Sequence, residues 1–255
     1  MKPPFLFPTP QQVTLSGETF RRPAKFSFQC KDESLASGLA PWMDKISLVP
    51  CPAEQKPNLL ILTEHSKHSG GFRIEVTPNQ VVIHTGKAVG LFRALAKVWQ
   101  MIHFVNPGDE LPCLEIADYP VLKRRGFMLD ISRCKVPTME ELFRLIDLLA
   151  LLGYNELQLY IEHTFRFQDH ETVWKDASPL SGEEIRQIDK YCQERFIELV
   201  PNLNSFGHFE RWLCHPAYKQ MAECPDGFVR ENPYMKRNHG TTLKPNQDSL
   251  DFIDS

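Results

Sequence analysis

The sequence has no long apolar run, and this absence excludes a membrane-spanning protein. No stretch approaches the roughly 20 apolar residues that a transmembrane helix needs. Prolines at positions 3, 4 and 8 also interrupt the amino end before the apolar core of a signal peptide could form. We therefore expect no membrane partner and no export signal.

An excess of basic residues is missing as well. The chain has 29 Lys and Arg against 32 Asp and Glu, which gives a net charge of −3, and these residues are scattered. Nucleic-acid binding relies on clustered basic side chains, so we expect no nucleic-acid partner. Hydrophobic residues make up 42% and charged residues 24%, as in folded globular proteins. A chain of 255 residues is long enough for one large domain or two ordinary ones.

Cysteines occur in an odd number and form no Cys-x-x-Cys pair. A disulfide framework uses an even number of cysteines, and a zinc ribbon uses closely spaced pairs. Neither a disulfide framework nor a zinc ribbon is expected from these cysteines. Their pattern and the missing export signal together favour reduced thiols in a cytoplasm. The seven cysteines are Cys30, Cys51, Cys113, Cys134, Cys192, Cys214 and Cys224.

Residues 1–117 predict a small α+β domain. Residues 59–63 form a short apolar run typical of a buried strand. Residues 72–76 alternate in polarity, and residues 81–85 form a second strand after the turn at Pro78-Asn79, which predicts a hairpin. A helix should follow, since Leu91, Leu95 and Val98 recur on one helical face.

Residues 118–255 predict an α/β domain with a parallel sheet. Strands are expected at 127–131, 157–161 and 196–200, with capped helices between them. The caps are Thr138 with Glu141 and Ser181 with Glu184. No Gly-x-Gly-x-x-Gly follows a strand, which excludes a dinucleotide fold and favours a (β/α)₈ TIM barrel. Because such a barrel needs about 250 residues, we expect only its first three strands here.

Polar side chains at the ends of these strands are the candidate site residues, because the carboxyl ends of barrel strands converge on one face. Arg125 could hold adjacent hydroxyls or form an ion pair with Asp130. Loop aromatic residues could stack on a sugar or pack in a core. A zinc site would need three or four ligands at spacings that His208 and Glu210 do not match. The candidates are Arg125, Asp130, Arg133, Tyr160, Glu162, His163, Asn202, Asn204 and His208.

Several of these segments resemble the β-N-acetylhexosaminidases of glycoside hydrolase family 20. Residues 120–133 resemble the start of that barrel, with an Arg-Gly pair before a Leu-Asp-x-Ser-Arg run. Residues 155–160 resemble its second strand, and Gly207-His208 resembles the loop after its third. Residues 7–11 and 90–95 resemble the small domain that precedes the barrel. The resemblance spans nearly the whole chain in order.

The resemblance implies an enzyme that releases terminal N-acetylhexosamine from glycans or glycoconjugates. The hydrolysis retains configuration and uses the substrate's own acetamido group, so no cofactor and no metal are expected. Arg125 would hold sugar hydroxyls, and His208 would lie near the cleaved bond. Glu162, His163 and Asn204 would belong to the same substrate site, although His163-Thr164 stands where many members have an Asp-Asp pair and Asn204 stands where they have an acid. These departures indicate a divergent branch.

The resemblance also places a catalytic Asp-Glu pair at the end of a fourth strand. Residues 243–252 resemble the approach to the helix before that strand. We therefore expect the pair beyond Ser255, no catalytic residue within this chain, and no activity from the 255 residues alone. Two alternatives stay open: a carbohydrate-binding protein without catalysis, and a metal-dependent hydrolase that uses His163, His208 and Glu210.

Overall fold

The computed structural model describes residues 6–105, 110–133 and 135–254. The contacts divide the chain into two compact units. The N-terminal unit comprises Met1–Arg125, Ile146–Asn155 and Gln193–Ile197, and the C-terminal unit comprises Gly126–Leu145, Glu156–Cys192 and Glu198–Ser255. Cys134, one of the seven predicted thiols, lies outside the described residues.

The N-terminal unit is built on a mixed sheet of seven strands in the order β1-β7-β5-β6-β4-β2-β3. Edge strand β1 pairs antiparallel with β7, whereas β4 pairs parallel with both β2 and β6. The strands are β1 (Gln12–Arg21), β2 (Phe26–Cys30), β3 (Leu48–Pro50), β4 (Leu59–Thr63), β5 (Phe72–Val76), β6 (Val81–Thr85) and β7 (Glu110–Asp118).

The predicted hairpin is formed by β5 and β6, which pair antiparallel from Phe72 opposite Thr85 to Val76 opposite Val81. Ile74 and Ile83 are fully buried, as the alternating pattern requires. The predicted helix follows as α2 (Ala88–Gln100), after the short α1 (Ala36–Leu39). A Cβ at Gly90 would lie 2.2 Å from Thr85 Oγ1, so glycine permits the close packing of α2 on β6.

The C-terminal unit contains three parallel strands in the order β10-β9-β8. They are β8 (Gly126–Asp130), β9 (Glu156–Ile161) and β10 (Glu198–Leu203). The register places Asp130, Tyr160 and Asn202 side by side. Both sequence-predicted domain types are therefore present, and the predicted α/β class with the beginning of a parallel, barrel-type sheet is confirmed.

Capped helices connect these strands. Helix α3 (Met139–Leu151) begins after Thr138, whose hydroxyl accepts the Glu141 N–H at 3.3 Å. After α4 (Glu171–Trp174), α5 (Gly182–Gln193) begins with a complete capping box. Glu184 accepts the Ser181 N–H at 2.7 Å, and Ser181 Oγ accepts the Glu184 N–H at 3.2 Å. The predicted caps are present in both helices.

Residues beyond β10 hold more structure than the sequence predicts. The expected short helix is α6 (Glu210–Leu213), but a hairpin of β11 (Phe228–Glu231) and β12 (Tyr234–Arg237) follows it. Helix α7 (Gln247–Asp254) comes last in the described chain. The third barrel strand also starts later than predicted, at Glu198, because Phe196 adopts a left-handed φ of 57° that no strand residue can have.

The loop aromatics mostly pack together rather than face solvent. Phe209 and Trp212 are buried in a cluster with Tyr218, and Phe167 and Phe206 pack against it. Core packing is therefore their observed role, one of the two weighed from the sequence. In the described part of the chain, every helix is too short or too polar to cross a membrane.

Candidate functional site

Parallel pairing of β8, β9 and β10 brings the candidate polar residues of three loops to one edge of the sheet. The register aligns Asp130 with Tyr160 and Tyr160 with Asn202. Arg133, Glu162 and Asn204 follow these positions by two or three residues. Their side chains meet because the carboxyl ends of parallel strands lie together.

Arg133 links the first strand to the second. One guanidinium nitrogen donates to Asp130, and the other donates to Glu162 Oε1 at 2.9 Å. The Glu162 side chain is only 10% exposed, whereas that of Arg133 is 51% exposed. A nearly buried carboxylate thus has an exposed cation as its partner, which offsets the cost of its desolvation.

Tyr160 is the central hydrogen-bonding group of this cluster. Its hydroxyl donates to Glu162 Oε1 at 2.8 Å and accepts from Asn204 Nδ2 at 2.8 Å. The Arg133 guanidinium lies 4.8 Å from the Tyr160 ring centre and donates to the hydroxyl at 3.2 Å. Hydrogen bonds to Tyr160 and Asp130 raise the pKa of Arg133, so the guanidinium stays charged throughout the physiological range.

The backbone of Glu162 is fixed from two sides. Its N–H donates to Ser132 Oγ at 2.7 Å, and its carbonyl accepts the Trp212 indole N–H at 2.8 Å. Ser132 and Trp212 are both buried. The carboxylate is therefore held by packed side chains from the first and third loops, which is the arrangement expected of a pre-organised binding group.

His208 is the most exposed of the candidate residues. Its side chain is 67% exposed, and its Nδ1 lies 3.8 Å from Glu162 Oε1. The residue adopts a left-handed φ of 56°, which is uncommon for a residue other than glycine. Gly207 and this backbone conformation project the imidazole from the loop after β10.

Of these groups, Arg133, Glu162 and His208 line a cavity of about 540 Å³ in the C-terminal unit. Its walls are mainly polar, and Glu210 in the wall lies 3.5 Å from Arg237 Nε. Hairpin strand β12, which the sequence did not predict, supplies Met235 and Arg237. The lining residues are Ser132, Arg133, Glu162, Gly207, His208, Glu210, Arg211, Met235, Arg237, Thr241 and Thr242. We call this cavity the polar cavity.

His163 follows Glu162 but lines a different cavity, with Lys135, Asp176 and Arg211. Burial and the neighbouring Arg211 lower the pKa of His163, although Glu162 acts in the opposite direction. Its Nδ1 is buried and has no hydrogen-bond partner among the described residues. Of the five predicted substrate-binding residues, the structure thus brings Glu162, Asn204 and His208 together, with His163 beside them.

Arg125, the fifth predicted residue, belongs to the N-terminal unit. It precedes the first residue of β8, and its Nε donates to the Gly153 carbonyl at 2.6 Å. Its Nη1 donates to the Leu122 carbonyl at 2.5 Å. Asp130, considered from the sequence as an ion-pair partner of Arg125, is instead paired with Arg133. The predicted pairing of Arg125 with Asp130 is therefore not among the described contacts, because Arg133, three residues after Asp130, pairs with that carboxylate.

Arg133 and Tyr160 are functional candidates outside the five residues that the sequence predicts to bind the substrate. Both were recognised as strand-end residues, but neither was assigned to the substrate. Asp130-x-x-Arg133 after a strand was the available signal, because residues three apart in a tight turn can pair. No group of three or more His, Cys, Asp or Glu residues in the described chain could hold a metal.

Comparisons with known proteins agree with this architecture. The model of glycosyl hydrolase family 20, domain 2, matches residues 3–119, and the model of the family 20 catalytic domain matches residues 123–255. A β-hexosaminidase of Akkermansia muciniphila is 23% identical over 202 residues, which cover 68% of this chain and 40% of that protein. A β-hexosaminidase of Porphyromonas gingivalis is 24% identical and covers 88% of this chain and 33% of its own length.

Solved structures show the same fold. The exo-β-N-acetylglucosaminidase of Vibrio harveyi, solved with N-acetylglucosamine, superposes with a TM-score of 0.80 at 18% identity. It covers 98% of this chain, which spans 43% of that protein. The β-N-acetylhexosaminidase of Streptomyces coelicolor A3(2) gives a TM-score of 0.78 over 98% of this chain and 55% of its own. The two family models together cover most of the sequence, and the chain therefore belongs to glycoside hydrolase family 20.

Proposed function

We propose that this chain contributes the terminal-sugar site of a β-N-acetylhexosaminidase. The observation that carries the proposal is the Arg133–Glu162 pair, held at the carboxyl ends of parallel strands and facing the polar cavity. Family membership supports the reaction class, and the chain spans less than half the length of the two curated relatives compared above.

The pair has the chemistry that adjacent sugar hydroxyls require. A guanidinium only donates hydrogen bonds and an ionised carboxylate only accepts them, whereas a hydroxyl does both. Arg133 and Glu162 lie 2.9 Å apart, so two neighbouring hydroxyls can each meet one of them. Hydrogen bonds to charged groups are worth about 1.5–3 kcal/mol each, which is enough to select a neutral sugar from water.

Asn204 and His208 extend this site. Asn204 fixes the Tyr160 hydroxyl at 2.8 Å and leaves its amide oxygen to accept a further hydrogen bond. His208 is exposed and held in an uncommon backbone conformation, a feature that accompanies function more often than stability. We place His208 beside the bond that is cleaved, as the family resemblance implies.

The proposed reaction proceeds without a protein nucleophile. The carbonyl oxygen of the substrate's acetamido group attacks the anomeric carbon, and a carboxylic acid protonates the leaving oxygen. A neighbouring carboxylate orients the acetamido group as the attack occurs. The resemblance assigns these two roles to an Asp-Glu pair after a fourth strand, and no such pair follows Leu243 in these 255 residues. This chain supplies the groups that hold the sugar.

The predicted role of Arg125 in holding sugar hydroxyls requires donors that are free to reach a ligand. Two of its nitrogens are already engaged by the Gly153 and Leu122 carbonyls, and the third, Nη2, is buried in a residue that does not line the polar cavity. We therefore assign the hydroxyls to Arg133, with Arg125 as the competing candidate. Substitution of each arginine by methionine separates the two assignments.

Calorimetric titration with methyl N-acetyl-β-D-glucosaminide tests the proposal. We expect binding to this chain, tighter than that of methyl β-D-glucoside, and a loss of about tenfold or more on Glu162→Gln substitution. Arg144→Met is a suitable control, because Arg144 lies on the exposed face of α3 and pairs with Glu140 and Glu141. Equal affinity for the two sugars, or an unaffected Glu162→Gln variant, would contradict the proposal.

Hydrolysis is measured separately, with a nitrophenyl N-acetylglucosaminide. We expect no nitrophenol above background from these 255 residues, because general acid catalysis alone contributes about 10²- to 10⁴-fold. Sugar binding with no hydrolysis by the natural protein in its complete form would instead support the carbohydrate-binding alternative. Turnover by the 255 residues would contradict the assignment of the acid to the Asp-Glu pair.

A further inference from the structure

The N-terminal unit contains a second cavity, of about 240 Å³, that the proposed hydrolase function does not use. Its walls come from the amino-terminal segment, α2, the segment after β7 and the end of α3. The lining residues are Pro8, Thr9, Gln11, Phe72, Arg93, Ala96, Lys97, Asp118, Tyr119, Pro120, Val121, Leu122, Arg125, Ala150, Leu151 and Gly153. We call it the cationic cavity.

Positive charge is in excess in this cavity. Three lining residues, Arg93, Lys97 and Arg125, are cationic, and Asp118 is the single acid among the lining residues. Lys97 is only 4% exposed. A buried charge is costly unless an opposite charge lies beside it, so one carboxylate leaves this group of cations incompletely compensated.

Hydrogen-bond donors are also left without acceptors. Arg125 Nη2 is buried and has no hydrogen-bond partner in the described chain. Lys97 Nζ donates to the Pro8 carbonyl at 2.5 Å, which is a neutral acceptor. Within residues 6–105, 110–133 and 135–254, the Arg93 guanidinium makes no hydrogen bond and no ion pair. The missing partner is an acceptor that carries negative charge.

We propose that the cationic cavity binds the carboxylate of a small organic acid with an apolar body. Arg93 would receive the carboxylate, Arg125 would add a hydrogen bond from Nη2, because its Nε and Nη1 are already engaged, and Lys97 would contribute positive charge. The remaining wall is apolar, with the Phe72 ring and Leu122 among its members, and suits a hydrocarbon or aromatic body. The Arg93 guanidinium fits a carboxylate because it can donate two parallel hydrogen bonds.

The titration of the lining groups agrees with a site short of negative charge. Burial lowers the pKa of Lys97 to about 8, and Asp118 only partly opposes this effect. Burial and the neighbouring Arg125 lower the pKa of Arg93 to about 10. Burial raises the pKa of Asp118, although Lys97 and Arg93 oppose it. A bound carboxylate would shift both cations back toward their ordinary values.

Nuclear magnetic resonance with benzoate as the probe tests this proposal, and benzamide serves as its uncharged match. Benzoate should shift the backbone amide signals of Tyr119 and Gly153 with a Kd on the order of 1 mM, and benzamide should bind at least about tenfold more weakly. Arg93→Met should weaken benzoate binding by about tenfold or more, because one charged hydrogen-bond donor pair is lost. Arg21→Met, which removes the same charge from exposed strand β1, should leave benzoate binding unchanged.

Three results would overturn the proposal. They are equal binding of benzoate and benzamide, shifts confined to residues outside the cavity, and benzoate affinity that Arg93→Met does not alter. The comparison of benzoate with benzamide uses the unaltered chain, so it remains decisive even if a variant fails to fold. Sugar binding in the polar cavity should be unaffected by benzoate, which makes this test independent of the hydrolase proposal.

Discussion

The polar cavity and the cationic cavity are both lined by arginine, but they differ in how many acidic side chains compensate its charge. In the polar cavity, two of the three lining arginines face acids: Arg133 faces Asp130 and Glu162, and Arg237 faces Glu210. In the cationic cavity, Arg93, Lys97 and Arg125 share one acid, Asp118. A paired, half-exposed arginine can bind a neutral ligand without disturbing the charge balance, whereas incompletely compensated cations that are buried or half-buried favour an anion.

The balance of charged side chains in each cavity, rather than the presence of arginine, therefore indicates which class of ligand it binds. Hydroxyl groups need donors and acceptors side by side, which Arg133 and Glu162 supply. A carboxylate needs donors alone, which Arg93 and Arg125 supply. Arginine in a family motif therefore identifies a binding residue only when its neighbours are known.

The largest expected effect is that of Arg133→Met on sugar binding. Loss of one or two hydrogen bonds to a charged group should weaken methyl N-acetyl-β-D-glucosaminide binding by about ten- to several-thousand-fold. Calorimetry measures the change, with Arg144→Met as the charge-matched control on the exposed face of α3. Unchanged affinity in Arg133→Met would remove this residue from the sugar site.

Arg125→Met gives the opposite pattern if the two cavities are distinct. Benzoate binding should weaken by about tenfold or more, whereas sugar affinity should stay within about twofold of the unaltered chain. The role predicted from the family motif requires the reverse, with sugar binding lost and benzoate binding retained. The two titrations on one variant therefore decide between Arg125 and Arg133.

The difference in stability between Lys97→Met and the unaltered chain should depend on pH. The folded-state pKa of Lys97, about 8, lies below the ordinary value of 10.5, so the unfolded chain keeps this proton to higher pH. The contribution of Lys97 to stability therefore rises between about pH 8 and 10.5, and the buried ammonium costs on the order of 3 kcal/mol below that window. At pH 7, Lys97→Met should have a higher free energy of unfolding than the unaltered chain, and this difference should disappear by pH 10.5.

Urea unfolding at several pH values measures this difference. Other groups also titrate in this range, but they cancel when the unaltered chain and Lys97→Met are compared at each pH. Lys87→Met, at the exposed amino end of the same helix, should show no such trend. A difference that does not change with pH would mean that Lys97 is not a desolvated cation.

A smaller effect is expected at the start of α5. Ser181→Ala removes one side of the capping box and should lower the free energy of unfolding by about 1 kcal/mol. Thr138→Ala should cost less, because the Thr138 hydroxyl makes one cap hydrogen bond, at 3.3 Å, to α3. Urea unfolding compares the two variants, and an equal or larger loss at Thr138 would contradict the ranking.

Local sequence patterns predicted the helices and strands whose own residues indicate a cap or a buried face. The capped helices after Thr138 and Ser181 were recognisable because the cap residues stand three apart and an apolar stripe follows. The hairpin of β5 and β6 was recognisable from its alternation. Strand β1 was not, because residues 12–21 are mostly polar and exposed at a sheet edge, where the partner strand rather than burial fixes the conformation.

The site residues that sequence patterns missed are determined by pairing between segments that are distant along the chain. Strands β11 and β12 are short, charged and largely exposed, so no apolar period marks them, yet β12 supplies Arg237 to the polar cavity. Arg125 and Arg133 both flank β8 and cannot be ranked by residue type. Pairing with Glu162, 29 residues away along the chain, distinguishes Arg133, and only the register of β8 on β9 brings these two side chains together.

A crystal structure of this chain with methyl N-acetyl-β-D-glucosaminide tests the central claim most directly. We expect the sugar in the polar cavity, with two adjacent ring hydroxyls about 2.7–3.2 Å from the Arg133 guanidinium and the Glu162 carboxylate. His208 should lie on the side of the anomeric carbon. A sugar bound against Arg125 in the cationic cavity, or bound elsewhere without contact to Arg133 and Glu162, would contradict the account.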